Sequence, residues 1–333
     1  MKDAIHFAII GFGEVSQYHA KAIAELPGAK LAAVCDRNLD KRKKAEELYG
    51  AATYSDYHEM LQRDDIDVVN ILTASGTHAE IGIAAAKAGK HVITEKPIDI
   101  CLDKADALID ACREAGVKLS CIFQHRFNPA VMEIKKAIRE EKFGQLNFGA
   151  AHTKWYRPQE YYDQVAWRGT WALDGGGAVM NQSIHYIDLL QYIMGDVEEV
   201  FAYCATRAHE RIEVEDLAVA SVKFKSGALG MIEGNVSAYP GFYTRLDVYG
   251  EHGSAVIESN KMKEWKLKSG EGYDSGQEQS PVNAHYYQLK DMMDAIKEDR
   301  QPFVSGAEAR KSLEIVQAIY RSARTGAPVK ITG

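Results

Sequence analysis

The chain has 333 residues, 46% apolar and 26% charged, which is enough for two domains with separate cores. Its 40 basic and 47 acidic side chains give a net charge of −7 with no long block of either sign, so a phosphate-tracking nucleic-acid surface is excluded in favour of a small-molecule partner. No stretch reaches the apolar length that spans a bilayer, and Met1-Lys2-Asp3-Ala4 runs into a strand without the apolar core of a signal peptide, so a cytoplasmic protein with no membrane partner is expected.

From residue 5 to residue 122, short apolar runs alternate with helical patterns. Strands are predicted over 6–10, 30–35, 68–73, 91–94 and 118–122, and helices over 15–26, 40–49, 78–88 and 103–115. Strand-helix-strand units of this length demand right-handed parallel crossovers, hence an α/β fold with a doubly wound parallel sheet over 1–123. The rhythm then changes, and a second domain is expected over 124–333. It has a helix over 129–140, a strand near 146–155, an irregular aromatic stretch and a long helix over 178–194. Strand-like runs follow at 199–206, 217–224, 228–236, 244–249 and 253–257. Turns at Lys225-Ser226-Gly227 and Gly250-Glu251-His252-Gly253 predict an antiparallel or mixed sheet. The polar, glycine-bearing stretch 261–283 reads as loop, and helices near 285–298 and 307–324 complete the domain. Apolar residues on both faces of Leu217-Ala218-Val219-Ala220 require cover on both sides, from helices on one and another subunit on the other. The five cysteines contain no CxxC pair and read as reduced and buried, and the dispersed histidines predict no metal.

Three constellations carry chemistry. Ile10-Gly11-Phe12-Gly13-Glu14-Val15-Ser16 follows the first strand and opens the first helix, so its backbone can approach a pyrophosphate at a helix N-terminus. The second strand ends at Asp36, where a carboxylate suits the adenosine ribose hydroxyls and disfavours a 2′-phosphate; this points to NAD, while Arg37 beside it leaves NADP open. Lys96, in Glu95-Lys96-Pro97, emerges at the C-terminal end of the 91–94 strand, on the side where open α/β sheets bind ligands. Two readings stay open: a lysine that polarises a substrate hydroxyl, or an exposed lysine before a proline loop. The third constellation is Trp167-Arg168 and the glycine turn Asp174-Gly175-Gly176-Gly177, which opens a helix on which Asn181, His185 and Asp188 share a face. His185 is either a structural histidine or, as a neutral imidazole, the acceptor of an alcohol proton.

Together with Thr73 to His78, Arg126-Phe127-Asn128-Pro129 and the helix from Gly175 to Asp188, these motifs resemble the Gfo/Idh/MocA family of NAD(P)-dependent oxidoreductases over essentially the whole chain. The resemblance implies a Rossmann domain and a second α/β domain with an open mixed, largely antiparallel sheet, through which dimers or tetramers are built. It implies Lys96 and His185 as the catalytic pair. It further implies a cofactor site drawn from Gly11, Phe12, Gly13, Glu14, Val15, Asp36, Arg37, Thr73, Ser75, His78, Glu95, Lys96 and Arg168. One departure is Asn181, where relatives such as inositol dehydrogenases carry an aspartate; a neutral amide can orient substrate but cannot act as a base, which places the proton transfer on His185.

Arg157-Pro158-Gln159-Glu160-Tyr161-Tyr162-Asp163, Trp167 to Trp171, Met180-Asn181-Gln182 and Ile212 to Asp216 resemble more closely the UDP-N-acetylglucosaminuronate 3-dehydrogenases, which oxidise a sugar 3-hydroxyl. An anionic nucleotide sugar needs local cations, and Arg126, Lys154, Arg157 and Arg168 are candidates, with Asn181 and Gln182 on the sugar. Tyr156, Tyr161 and Tyr162 either stack on sugar or base or line a subunit interface. Alternatives are a dehydrogenase of free sugars, glycosides or inositols, NAD-dependent redox-neutral glycoside cleavage, and a sugar-sensing regulator, the last disfavoured by the intact Lys96 and His185.

Overall fold

The structure, a computed structural model, describes residues 4–273 and 284–331, which divide into two compact units: 4–124 with 284–310, and 125–273 with 311–331. The first unit is built from β1 (Ile5–Ile10), α1 (Ser16–Glu25), β2 (Ala29–Cys35), α2 (Leu39–Tyr49), β3 (Ala52–Tyr54), α3 (Tyr57–Leu61), β4 (Val68–Ile71), α4 (His78–Lys87), β5 (His91–Thr94), α5 (Leu102–Glu114) and β6 (Leu119–Cys121). Its six strands run in the order β3-β2-β1-β4-β5-β6 and pair in parallel throughout. Strand order reverses beside β1, so the C-terminal ends of β1 and β4 flank the crevice that such sheets use for ligands. The continuous apolar runs are explained by burial: β4 is buried at every position, and β1 at all but His6. The edge strand β3 is too short and polar to stand out in the sequence pattern.

The second unit contributes α6 (Pro129–Arg139), β7 (Leu146–Lys154), α7 (Gln159–Asp163), α8 (Ile184–Met194), β8 (Val197–Ala205), β9 (Leu217–Phe224), β10 (Leu229–Asn235), β11 (Thr244–Gly250), β12 (Gly253–Glu258) and β13 (Lys261–Leu267). Its eight-stranded sheet runs β13-β12-β11-β7-β10-β9-β8-β14, with β14 at Val329–Lys330; only the β7–β10 pair is parallel. The sheet is therefore mixed and mostly antiparallel.

Three local features depart from the sequence reading. Lys261–Leu267 is a strand, not loop: it pairs with β12 at the sheet edge, where solvent accepts its lysines. Residues 274–283 of that stretch lie outside the described residues. The helix read over 178–194 begins as a π-type turn over Ala178–Ser183 and becomes α-helical only at Ile184. Finally, α9 (Ala284–Lys297), read as part of the second domain, belongs to the first unit. Its Leu289, Met292 and Met293 join Phe7, Ile9, Ala20 and Ile23 in one buried cluster, each large side chain contributing about 1.5–3 kcal/mol of burial. The next helix, α10 (Gly306–Thr325), starts in the first unit and continues in the second.

Candidate active site

In the first unit the glycine turn has the geometry that close backbone approach requires. Gly11 sits at φ +90°, where a side chain would be strained and its Cβ would lie 2.7 Å from the Leu72 carbonyl; at Gly13 a Cβ would meet nothing within 4 Å. Val15, at the N-cap of α1, contributes no side-chain cap, so the helix N-terminus presents backbone N–H groups with no acidic side chain in its first turn. Asp36 Oδ2 accepts the Phe12 N–H at 2.8 Å and Oδ1 accepts the Asn38 N–H at 2.8 Å. The carboxylate thus ties the glycine turn to the end of β2, and each oxygen keeps acceptor capacity for a ribose hydroxyl. Exposed Arg37 flanks it, its carbonyl held by Arg42 at 3.1 Å. This pattern of open glycine, bare helix terminus and strand-end carboxylate fits a dinucleotide.

The turn after β4 is cross-braced. Thr73 and Thr77 hydroxyls lie 2.8 Å apart, and buried Ser75 opens a single 3-10 turn. His78 is fully buried, its Nδ1 2.8 Å from the Pro97 carbonyl and its Nε2 3.2 Å from the Thr73 carbonyl, and burial lowers its pKa. Expected on the cofactor, His78 lies between the loops that follow β4 and β5; burial disfavours the imidazolium, and the neutral ring has one N–H to donate to one of these two carbonyls.

Glu95 is a second correction. Its Oε1 lies 3.2 Å from His19 Nε2 and 3.5 Å from His285 Nε2, and Oε2 accepts the Lys96 N–H at 3.0 Å. Its side chain is used inside the protein, where it fixes the half-buried Lys96 through the peptide leaving β5. The Lys96-Pro97 bond is cis. Desolvation raises the Glu95 carboxyl, but the two imidazoles more than offset it and hold it well below the usual range, while burial lowers His19. The ligand atoms of this triad lie within 4.8 Å of one another, a spacing that a metal could bridge. His19 Nδ1, however, faces the Asn70 side-chain amine at 3.0 Å, which puts its proton on Nε2 toward Glu95 and makes the triad a hydrogen-bonded anchor. The sequence reading missed His19 and His285, which no local spacing connects to Glu95.

In the second unit, the glycine turn is clamped by Glu215. Its carboxylate accepts the Gly177 N–H at 3.0 Å, the Val179 N–H at 2.8 Å and the Tyr320 hydroxyl at 3.0 Å, and its own carbonyl accepts the Ala178 N–H at 3.1 Å. A Cβ at Gly176 would overlap the Tyr320 hydroxyl and one at Gly177 the Glu215 carbonyl, so both glycines are demanded by close approach. Burial pushes the Glu215 carboxyl up to about 7. The π-type turn then carries Asn181, whose amide donates to Asp174 at 2.8 Å, and His185 follows on α8 with its ring 4.9 Å from that of His125. Asp188, expected on the same face, turns into the core, where it pairs with Arg126 through two 2.8 Å bonds and accepts the Ser312 hydroxyl at 2.7 Å. Arg126 is only 1% exposed and lies over the Tyr192 ring, so it is structural and not the substrate cation expected of it. Removing either partner of that pair would strand a buried charge.

Of the remaining expected cations, Lys154 lies over the Tyr243 ring and pairs with Glu233 at 3.5 Å, while Arg157 and Arg168 converge on one ring. The guanidinium of Arg157 lies 4.9 Å from the Tyr161 centroid and that of Arg168 4.2 Å, and Arg168 also donates to the Tyr161 carbonyl and Gln164 at 3.0 Å. Two cations sharing an aromatic ring form a shelf suited to an anion. Gln182 is buried beside it, 3.4 Å from the Tyr161 hydroxyl, while Tyr156 is exposed and edge-on to Tyr239. Tyr162 departs from expectation: it is buried, edge-on to Tyr161 and His209, and desolvation pushes its hydroxyl up, so it packs beneath the shelf.

Family models match two consecutive stretches of the chain, with α9 falling in the second. Residues 5–123 match the oxidoreductase family's NAD-binding Rossmann fold, and residues 135–331 match its C-terminal alpha/beta domain. The chain belongs to the Gfo/Idh/MocA family. It is an NAD-dependent oxidoreductase acting on CH–OH groups, and its first unit is the cofactor-binding domain. Among Gfo/Idh/MocA proteins of known structure, the WlbA dehydrogenase from Bordetella pertussis, solved in complex with NADH and UDP-GlcNAcA, is 35% identical, with 99% of this chain and 98% of that one covered and a TM-score of 0.92. By sequence, the myo-inositol 2-dehydrogenase of Thermotoga maritima is 29% identical, with 98% of each chain covered. The scyllo-inositol 2-dehydrogenase (NAD(+)) of Bacillus subtilis is 27% identical, with 99% of this chain and 97% of that one covered.

Proposed function

We propose that this protein is a nucleotide-sugar dehydrogenase that oxidises the 3-hydroxyl of UDP-N-acetylglucosaminuronate or a closely similar anionic pyranose. The observation that carries this reading is the Arg157–Tyr161–Arg168 shelf, since neither a free sugar nor an inositol offers the negative charge that two stacked guanidiniums would meet. The WlbA likeness, higher in identity than that to the inositol enzymes, supports it. NAD, when bound, supplies the hydride acceptor. Lys96 polarises the hydroxyl oxygen, the His185 imidazole takes its proton, and Asn181 and Gln182 orient the ring. The turn that carries Thr73 and Ser75 and the glycine turn with Glu14 hold the cofactor in the first unit.

A polyol dehydrogenase is the second reading, favoured by the full-length inositol relatives and opposed by Asn181. Incubating the protein with NAD and, separately, UDP-N-acetylglucosaminuronate, UDP-N-acetylglucosamine, glucose and myo-inositol, while following NADH, tests the choice. NADH formed from the uronate at a rate at least about a hundredfold above that from myo-inositol is expected, since losing a paired charge from an anchored substrate costs several kcal/mol. The reverse order would establish the polyol reading.

The open face of the eight-stranded sheet is the proposed site of self-association into a dimer or tetramer. Tyr203, Val219, Leu229 and Met231 are exposed there by 65%, 47%, 58% and 40%, on three adjacent strands. An apolar face of this kind on a sheet otherwise packed by helices suits a second copy. Solution in the cytoplasm accords with the cofactor and with the fact that, among the described residues, no helix is long and apolar enough to cross a membrane.

A further inference from the structure

Asp174 is 1% exposed and stands at the head of the glycine turn. Its Oδ2 accepts the Gly169 N–H at 2.8 Å and its Oδ1 accepts the Asn181 side-chain amine at 2.8 Å. Its own backbone is equally fixed, since the N–H groups of Asp174 and Gly175 both donate to the Thr170 carbonyl at 3.1 Å. Asn181 is held from the other side by its N–H, which donates to the Gly177 carbonyl at 2.9 Å, and sits in the π-type turn clamped by Glu215.

A carboxylate with two N–H donors accepts and cannot donate. The end of the Asn181 amide facing it must be the amine, and the amide oxygen must point away from Asp174. We propose that Asp174 is a positioning residue that locks Asn181 with its amide oxygen toward the substrate, making position 181 a hydrogen-bond acceptor for a sugar hydroxyl and barring an aspartate from that position. This rests on the reading that the 178–194 helix contacts the sugar. An aspartate at 181 would face the buried Asp174 carboxylate at hydrogen-bond distance, with the Glu215 carboxylate on the same turn, and two carboxylates that close cannot both ionise without strain. The asparagine that distinguishes this chain from the inositol-dehydrogenase pattern is then a consequence of its neighbour, and the two positions should be read as a pair.

The test uses the full chain as N181D, D174N and the swap D174N/N181D. In D174N the new amide keeps its oxygen on the Gly169 N–H and offers its amine to position 181. Asn181 must then flip, presenting a donor where an acceptor stood. Turnover of the nucleotide sugar should fall about tenfold or more through kcat, with NADH affinity within about twofold of the parent. N181D should melt about 5 °C or more below the parent at pH 7, and the swap, which restores a donor–acceptor pair with polarity reversed, should recover both the melting temperature and most of the turnover. If N181D does not fold at all, folding of the swap is itself the rescue. A swap no better than the worse single variant in melting overturns the lock. Coupling in melting without turnover of any sugar by the parent would refute the dehydrogenase reading and leave the lock standing, so the two failures are distinguishable.

Discussion

The two sheets of this protein are read differently by solvent. In the parallel sheet of the first unit, β4 is buried at every residue and β5 at all but its first, whereas β9 in the second unit alternates buried and exposed positions from Ala218 to Phe224. The first sheet is covered on both faces and delivers its functional groups from strand ends, where the backbone already points at a ligand. The second keeps one face open and carries its functional groups on a helix, held in place by long-range polar clamps. The cofactor-binding half is thus a property of local chain geometry, while the proposed substrate half depends on contacts between distant residues. Substitutions in the two halves should fail in different ways.

The largest effect is expected at Lys96. The Lys96→Met variant should lose about a thousandfold or more in kcat while NADH affinity stays within about twofold, because the lost interaction belongs to the transition state; stopped-flow turnover and NADH fluorescence titration measure the two separately. His185→Gln should lose about a hundredfold, with the decrease again in kcat. If either change instead abolished NADH binding, the division of labour between the units would be wrong.

Glu215 offers a sharper contrast through pH. Burial raises its carboxyl from 4.5 to about 7, so between those values the folded chain holds a proton that the unfolded chain has released. Its contribution to stability is therefore largest below pH 4.5 and is lost as pH rises through about 7, a change of about 3 kcal/mol. Thermal melts of Glu215→Gln and the parent at several pH values should differ by that slope, and parallel curves would contradict the clamp. A smaller, more selective effect is expected on the shelf. Arg168→Ala should raise KM for the nucleotide sugar about tenfold and leave KM for NAD within about twofold.

The doubly wound parallel sheet and the glycine turn were legible because each is set by residues close together in the chain. Lys261–Leu267 was not, since an edge strand needs no apolar face and its lysines imitate a loop. Nor was the π-type onset at Ala178, which comes from Glu215 and Tyr320 closing on Gly176 and Gly177. The same limit explains the misread side chains. His78, Glu95, Arg126 and Tyr162 belong to motifs read as functional, but their polar atoms or rings engage other groups within their own units. A sequence motif names a loop, and only the fold says which of its side chains turn outward.

The proposed reaction removes hydride from C3 of the sugar, with Lys96 and His185 as its proposed catalytic groups. UDP-N-acetylglucosaminuronate carrying deuterium at C3, mixed with the protein and NAD, tests it most directly. Deuterium in the reduced nicotinamide and a slowed rate relative to the unlabelled sugar are expected, both abolished in Lys96→Met. Deuterium retained on the sugar while NADH accumulates would show that another carbon is oxidised and would contradict the assignment.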